Sequence, residues 1–77
     1  MRRKYYYQPG VFDQIVGEGP WAVWSDDLVT TRRREAEAAA KQMARRRGGV
    51  PVIGYWDRDL GESPRPDAVR VDIVRGD

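Results

Sequence analysis

The sequence predicts an α+β domain: a small, mostly antiparallel sheet of about four strands with one helix packed on one face, in the order β-β-α-β-β. Three observations predict it. One stretch, Thr30 to Gly49 (TTRRREAEAAAKQMARRRGG), carries helical periodicity together with a start and a stop. Several short runs are rich in aromatic and β-branched residues and alternate with period two. Proline and glycine clusters separate those runs. At 77 residues the chain reads as a single domain, 1–77.

Arg3 to Gln8 (RKYYYQ) is tyrosine-rich and reads as the first strand. Pro9-Gly10 is expected to turn the chain, since proline presets φ and glycine accepts positive φ. VFDQIV (Val11 to Val16) reads either as a short second strand or as a packed loop, and GEGP (Gly17 to Pro20) is a break. WAVWS (Trp21 to Ser25) is a strand, with Trp21 and Val23 on one face and Ala22 and Trp24 on the other. Asp26-Asp27 begins a turn into LVTT.

The helix is predicted from about Arg32 to Arg47, with Thr31 as N-cap and Gly48-Gly49 supplying the left-handed residue that ends it. VPVIGYW (Val50 to Trp56) is the next strand, and Pro51 points to an edge or a strand end. DRDLGESPRPD (Asp57 to Asp67) is a polar loop, expected to be the most mobile segment. AVRVDIV (Ala68 to Val74) alternates, so Val69, Val71 and Ile73 are expected to face the core and Arg70 and Asp72 to face out.

On a helical wheel Ala36, Ala40 and Met43 form an apolar stripe, mostly alanine, that lets the helix sit close to a sheet. Neither arginine triplet can form one face, because three consecutive residues span about 200°. Arg34, Lys41 and Arg45 make an outward basic stripe. Arg33–Glu37 and Glu37–Lys41 are i,i+4 pairs worth about 0.2–0.5 kcal/mol each. The second triplet, Arg45 to Arg47, suits the negative end of the helix dipole, whereas the first, Arg32 to Arg34, opposes the positive end. Either Glu35 and Glu37, or Asp26 and Asp27, compensate that first triplet, or it receives an anion or an acidic partner.

Fourteen basic residues against twelve acidic give a net charge of +2, a weak balance for a nucleic-acid binder unless the charges segregate. There is no cysteine and no histidine, which removes disulfides, thiol nucleophiles, imidazole bases and most zinc sites. Asp57-Arg58-Asp59 reads as a solvated turn rather than a cation site. No catalysis, cofactor, metal or small-molecule substrate is expected. No apolar run approaches the ~20 residues of a membrane span, and MRRKYYYQ lacks the apolar core of a signal peptide. A cytoplasmic protein is the expectation.

The aromatic residues carry the functional signal. A helix covers one face of a sheet, and strand alternation sends neighbouring side chains to opposite faces. Tyr5 and Tyr7 therefore oppose Tyr6, and Tyr55 opposes Trp56. Some large aromatics must lie on the face without a helix, and Arg70 is expected to join them. Such a patch marks an interaction surface, with Tyr5, Tyr6, Tyr7, Trp24, Tyr55 and Arg70 as the candidate partner-binding residues.

Two binding readings follow. One is a protein partner or a second copy of the chain. The other is single-stranded nucleic acid, stacked on tyrosine or tryptophan and held at its phosphates by Arg2, Arg3, Lys4, Arg34, Lys41 and Arg45. The second is weakened because the helix arginines and the open face are expected to lie on opposite sides of the sheet. A third reading is structural, with neighbouring segments folding over the open face.

WAVWSDDLVTTRRREAEAAAKQMARR followed by VPVIGYW is similar to a loose pattern in small bacterial and phage proteins. In that pattern a W-x-V strand leads through a short turn to S/T-x-x-x-E-A-x-x-x-A and then a strand. The resemblance covers Trp21 to about Trp56 and implies a strand–helix–strand core, without any activity or site residue. The sequence thus leads to a non-enzymatic protein-binding or accessory module, of a size and composition that suit a phage-encoded protein, acting through an aromatic sheet face.

Overall fold

The computed structural model describes residues 4–13 and 21–75 and has the expected α+β architecture. Strands β1 (Tyr5–Asp13) and β2 (Trp21–Trp24) precede helix α1 (Arg33–Arg47), and β3 (Val50–Asp57) and β4 (Arg70–Ile73) follow it. The sheet order is β2-β1-β3-β4 with every neighbouring pair antiparallel. β2 and β3 thus flank β1 and run in the same direction, so the chain must cross β1 to join them. Helix α1 makes that crossing and packs on β1 and β3.

Pro9-Gly10 does not turn the chain. β1 runs straight through both residues, and Val11 to Asp13 continue it. The hydrogen-bond pattern explains how a central strand tolerates proline. In an antiparallel strand a residue's N–H and C=O point to the same side. The Pro9 carbonyl accepts from the Ser25 N–H at 2.9 Å, so its missing N–H faces the Ser25 carbonyl, which accepts from the Gln8 side-chain amide at 2.7 Å instead.

Pro51 does not mark an edge either, because β3 is central. Its carbonyl accepts from the Val74 N–H at 2.9 Å, one residue beyond the end of β4. The missing donor points toward β4, and the long β1–β3 ladder loses nothing. Gln14 to Val16 and the GEGP break lie outside the described residues.

The wheel reading of α1 holds for its central alanines, whereas Met43 is only partly buried and Lys41, expected on the outward stripe, is partly buried as well. Ala36 and Ala40 are fully buried and join Ile53 and Val74 in the core, with Tyr7 packed against them. Val11, Val52 and Trp56 are the other well-buried apolar side chains, each contributing about 1.5–3 kcal/mol. Gly48, at φ +80°, ends the helix and donates its N–H to the Ala44 carbonyl at 2.8 Å. The N-cap expectation fails by one residue. Arg32 occupies the cap position without a side-chain bond, and the hydroxyl of Thr30, not Thr31, accepts from the Arg32 N–H at 3.1 Å. Thr30 is fixed there because its backbone bridges Tyr7 in both directions, at 2.7 and 2.9 Å.

The faces of β4 are inverted relative to expectation. Asp72 lies across from Ile53 and Arg70 across from Tyr55, which puts both charged residues on the helix side. Val71 and Ile73 lie across from Gly54 and Val52 on the other side and remain 41% and 59% exposed. α1 does not reach far enough to cover β4, so burial does not select its apolar face for the helix. Val74 is the one β4-end residue that does join the helix-side core.

The face without the helix carries Tyr6, Trp24 and Trp56, as alternation requires. It is partly closed by its own side chains. Trp24 lies flat over two glycines: a β-carbon on Gly10 would meet its Cε3 at 2.6 Å, and one on Gly54 would meet its Cη2 at 3.0 Å. The polar loop, which contains two 3-10 turns (Arg58–Leu60 and Pro66–Ala68), lies against the same face. The Trp56 indole N–H donates to the Gly61 carbonyl at 2.7 Å, and Val69 sits over Gly54.

Candidate binding surface

Alternation along β1 and its register with β3 bring Tyr5, Tyr7 and Tyr55 together on the helix side of the sheet. The three rings form a triangle. Tyr5 meets Tyr55 edge-on at 5.4 Å between centroids and Tyr7 edge-on at 6.3 Å, while Tyr7 and Tyr55 are tilted at 6.2 Å. These are favourable aromatic geometries, worth about 0.5–1.5 kcal/mol per pair. The chain enters α1 at the level of Tyr7, and the helix runs away from that point toward Val11 and Phe12, where Gly49 touches the backbone. Tyr5 and Tyr55 lie beyond the helix start, and all three tyrosines stay half-exposed.

The first arginine triplet borders this cluster. An open hollow of about 500 Å³ is lined by Tyr7, Thr31, Arg32, Arg33, Arg34 and Glu35. Arg33 is committed elsewhere. It bridges Glu37 at 3.0 Å and Asp72 at 3.2 Å, tying the start of α1 to β4. The hydrogen bond to Glu37 raises the Arg33 pKa above the ordinary guanidinium value; partial burial opposes the rise, and Asp72 supports it. A raised folded-state value gives stability that is complete below the unfolded value and lost only as pH rises through the folded one. For a guanidinium both lie far into alkali, so its own titration adds no pH dependence near neutrality. Glu37 and Asp72 therefore compensate one arginine of the triplet, leaving Arg32 and Arg34 exposed beside Tyr7.

The expected site residues therefore divide between the two faces. Tyr5, Tyr7, Tyr55 and Arg70 lie on the helix side, against the expectation that the helixless face collects Arg70. Tyr6 and Trp24 lie on the opposite face, where Tyr6 is 6.1 Å from Trp56 and carries the Arg58 guanidinium 5.7 Å from its ring centre. Of the outward helix stripe, Arg34 adjoins the tyrosines, Arg45 is exposed further along α1, and Lys41 is half-buried. Lys4 is exposed and its carbonyl accepts from the Arg58 N–H at 3.0 Å. Arg2 and Arg3 lie outside the described residues.

The expected separation of arginines from open aromatics is thus corrected: the tyrosine triangle and the first arginine triplet share one side of the sheet. Sequence reasoning missed the Arg33–Asp72 bond, because nothing local links residues so far apart in the chain.

Among the described residues no group of three or more acidic, cysteine or histidine side chains is placed to hold a metal ion. No helix among them is long and apolar enough to cross a membrane. Comparison of the chain with protein-family models, with curated proteins and with solved structures finds no match.

Proposed function

We propose that the chain is a small non-enzymatic binding module that acts through protein contacts, with Tyr5, Tyr7 and Tyr55 as its anchoring surface. The observation that carries this reading is the half-exposed tyrosine triangle left beyond the start of α1. Tyrosine offers large, stiff contact area at low entropic cost, and with arginine it dominates interface hot spots. Arg32 and Arg34 rim the cluster and would orient an acidic partner. The test compares affinity capture by the native chain, by a Tyr5→Ser/Tyr55→Ser variant and by Tyr6→Ser, which alters the other face. A partner retained by Tyr6→Ser and lost by the double variant supports the reading. Equal capture by all three overturns it.

The shared side of tyrosines and arginines favours a second reading, single-stranded nucleic acid stacked on the triangle with Arg32 and Arg34 at phosphates. Trp24 and Trp56 lie on the far face, so the useful probe is the anisotropy of a labelled oligonucleotide rather than tryptophan emission. Salt-sensitive binding lost in the double variant would favour nucleic acid.

A further inference from the structure

We propose that β4 is a self-association edge: two copies pair through antiparallel β4 strands about a two-fold axis at Val71, joining their sheets into one. This inference does not depend on the tyrosine surface. It rests on the backbone, the side chains and the charges of one strand.

The backbone is available. Val74 donates to Pro51, which fixes the alternation so that Arg70, Asp72 and Val74 point their polar groups at β3. Val71 and Ile73 therefore turn N–H and C=O outward, along the free edge of the sheet. Among the described residues the helix packs on β1 and β3 and no strand pairs with this edge, which has an open hollow of about 580 Å³ alongside, lined by Arg33, Glu37, Val71, Asp72, Ile73 and Arg75. The side chains are apolar where a partner would sit: Val71 is 41% and Ile73 59% exposed, both on the helixless face.

Charge selects both the occupant and the register. With the axis at Val71, the two Val71 residues exchange reciprocal hydrogen bonds. Arg70 of each copy then stands directly across from Asp72 of the other, on the helix side, and Ile73 stands across from Val69 on the opposite side. No like charges oppose each other in this register, and the Val69 N–H, which donates to the Pro66 carbonyl at 3.3 Å, would have to turn to Ile73 of the other copy to complete the ladder. Moving the axis to Asp72 sets two carboxylates against each other. Moving it to Ile73 sets Asp72 across from Val74 and Arg75 across from Val71. Directly opposed like charges destabilise a strand pair, and opposite charges stabilise it. The Asp72 side chain is still 41% exposed in its bond to Arg33, so it can accept a second guanidinium. Charged residues usually guard an edge against pairing; here their signs and spacing make the edge complementary to itself. The axis stands perpendicular to the sheet, so both helices and both tyrosine triangles come to the same side.

Sedimentation analysis of the native chain from about 1 μM to 1 mM should show a reversible monomer–dimer equilibrium. A monomer throughout that range overturns the proposal. Arg70→Asp and Asp72→Arg should each weaken the dimer by about tenfold, because each sets like charges across the axis twice. An equimolar mixture of the two should recover a heterodimer, since all its cross-strand pairs are again opposite in sign. A mixture no tighter than the separate variants, or variants that dimerise like the native chain, overturns the proposal. Asp72→Arg also removes a partner of Arg33, so Ile73→Lys, at an exposed side chain, supplies a second probe. It too should weaken the dimer, and an unchanged dissociation constant would count against the edge.

Discussion

At the scale of single residues, Gly10 and Gly54 matter more than their size suggests. They are the floor on which the Trp24 indole rests. A methyl group at Gly10 would meet Trp24 Cε3 at 2.6 Å and the Val23 carbonyl at 2.9 Å, and the second of these contacts is backbone that cannot swing aside. Gly10→Ala should therefore destabilise the fold by about 1–3 kcal/mol, read from the midpoint of a urea transition. The sequence marked Gly10 for a different reason, as half of a Pro-Gly turn. That dipeptide does favour turns locally, but the ladders to β2 and β3 hold β1 extended through it. Pro9 escapes penalty because the Ser25 carbonyl, which its donor would have served, accepts from the Gln8 side-chain amide. Neither fact is written in the neighbouring residues.

At the scale of elements, α1 was the most legible part of the chain. Its alanine stripe, its arginine-rich last turn and its glycine stop all belong to the local sequence and need no partner to be read. Its start was misplaced by one threonine, because the choice between Thr30 and Thr31 is made by the bridge to Tyr7. Thr30→Ala should lose the bond to Arg32 and cost about 0.5–1.5 kcal/mol, whereas Thr31→Ala should be nearly neutral; thermal or urea denaturation of the pair separates them. β4 shows the other limit. Its alternation announced a strand with two unlike faces, yet alternation does not say which face meets the helix. A helix lying on β1 and β3 leaves β4 free to turn its charged side inward toward Arg33.

For the whole molecule, strand order decides where stability concentrates. β1 and β3 are paired on both sides and carry the helix, whereas β2 and β4 are short edges. Native-state hydrogen exchange should be slowest at amides of β1 and β3 that bond each other, such as Gly10 and Val52. It should be fastest at the outward amides of Val71 and Ile73 in dilute protein. The architecture was legible from the sequence because strand and helix periods differ, and the opposition of Tyr5 and Tyr7 to Tyr6 followed from the same rule. The composition of the candidate site was not. Bringing Tyr55 to Tyr5, and the first arginine triplet to Tyr7, requires the β1–β3 register and the path of the crossover.

The β1–β3 ladder has a kinetic consequence. It is the longest pairing in the sheet, and it joins opposite halves of the chain, from Tyr5↔Asp57 to Phe12↔Val50. Those contacts close only after the intervening hairpin and helix have been drawn into a loop, and the entropy of that closure is lost before the ladder compensates it. A chain of this length with mostly local contacts can fold in microseconds. This one belongs with the proteins whose topology sets the pace, at times on the order of milliseconds or longer.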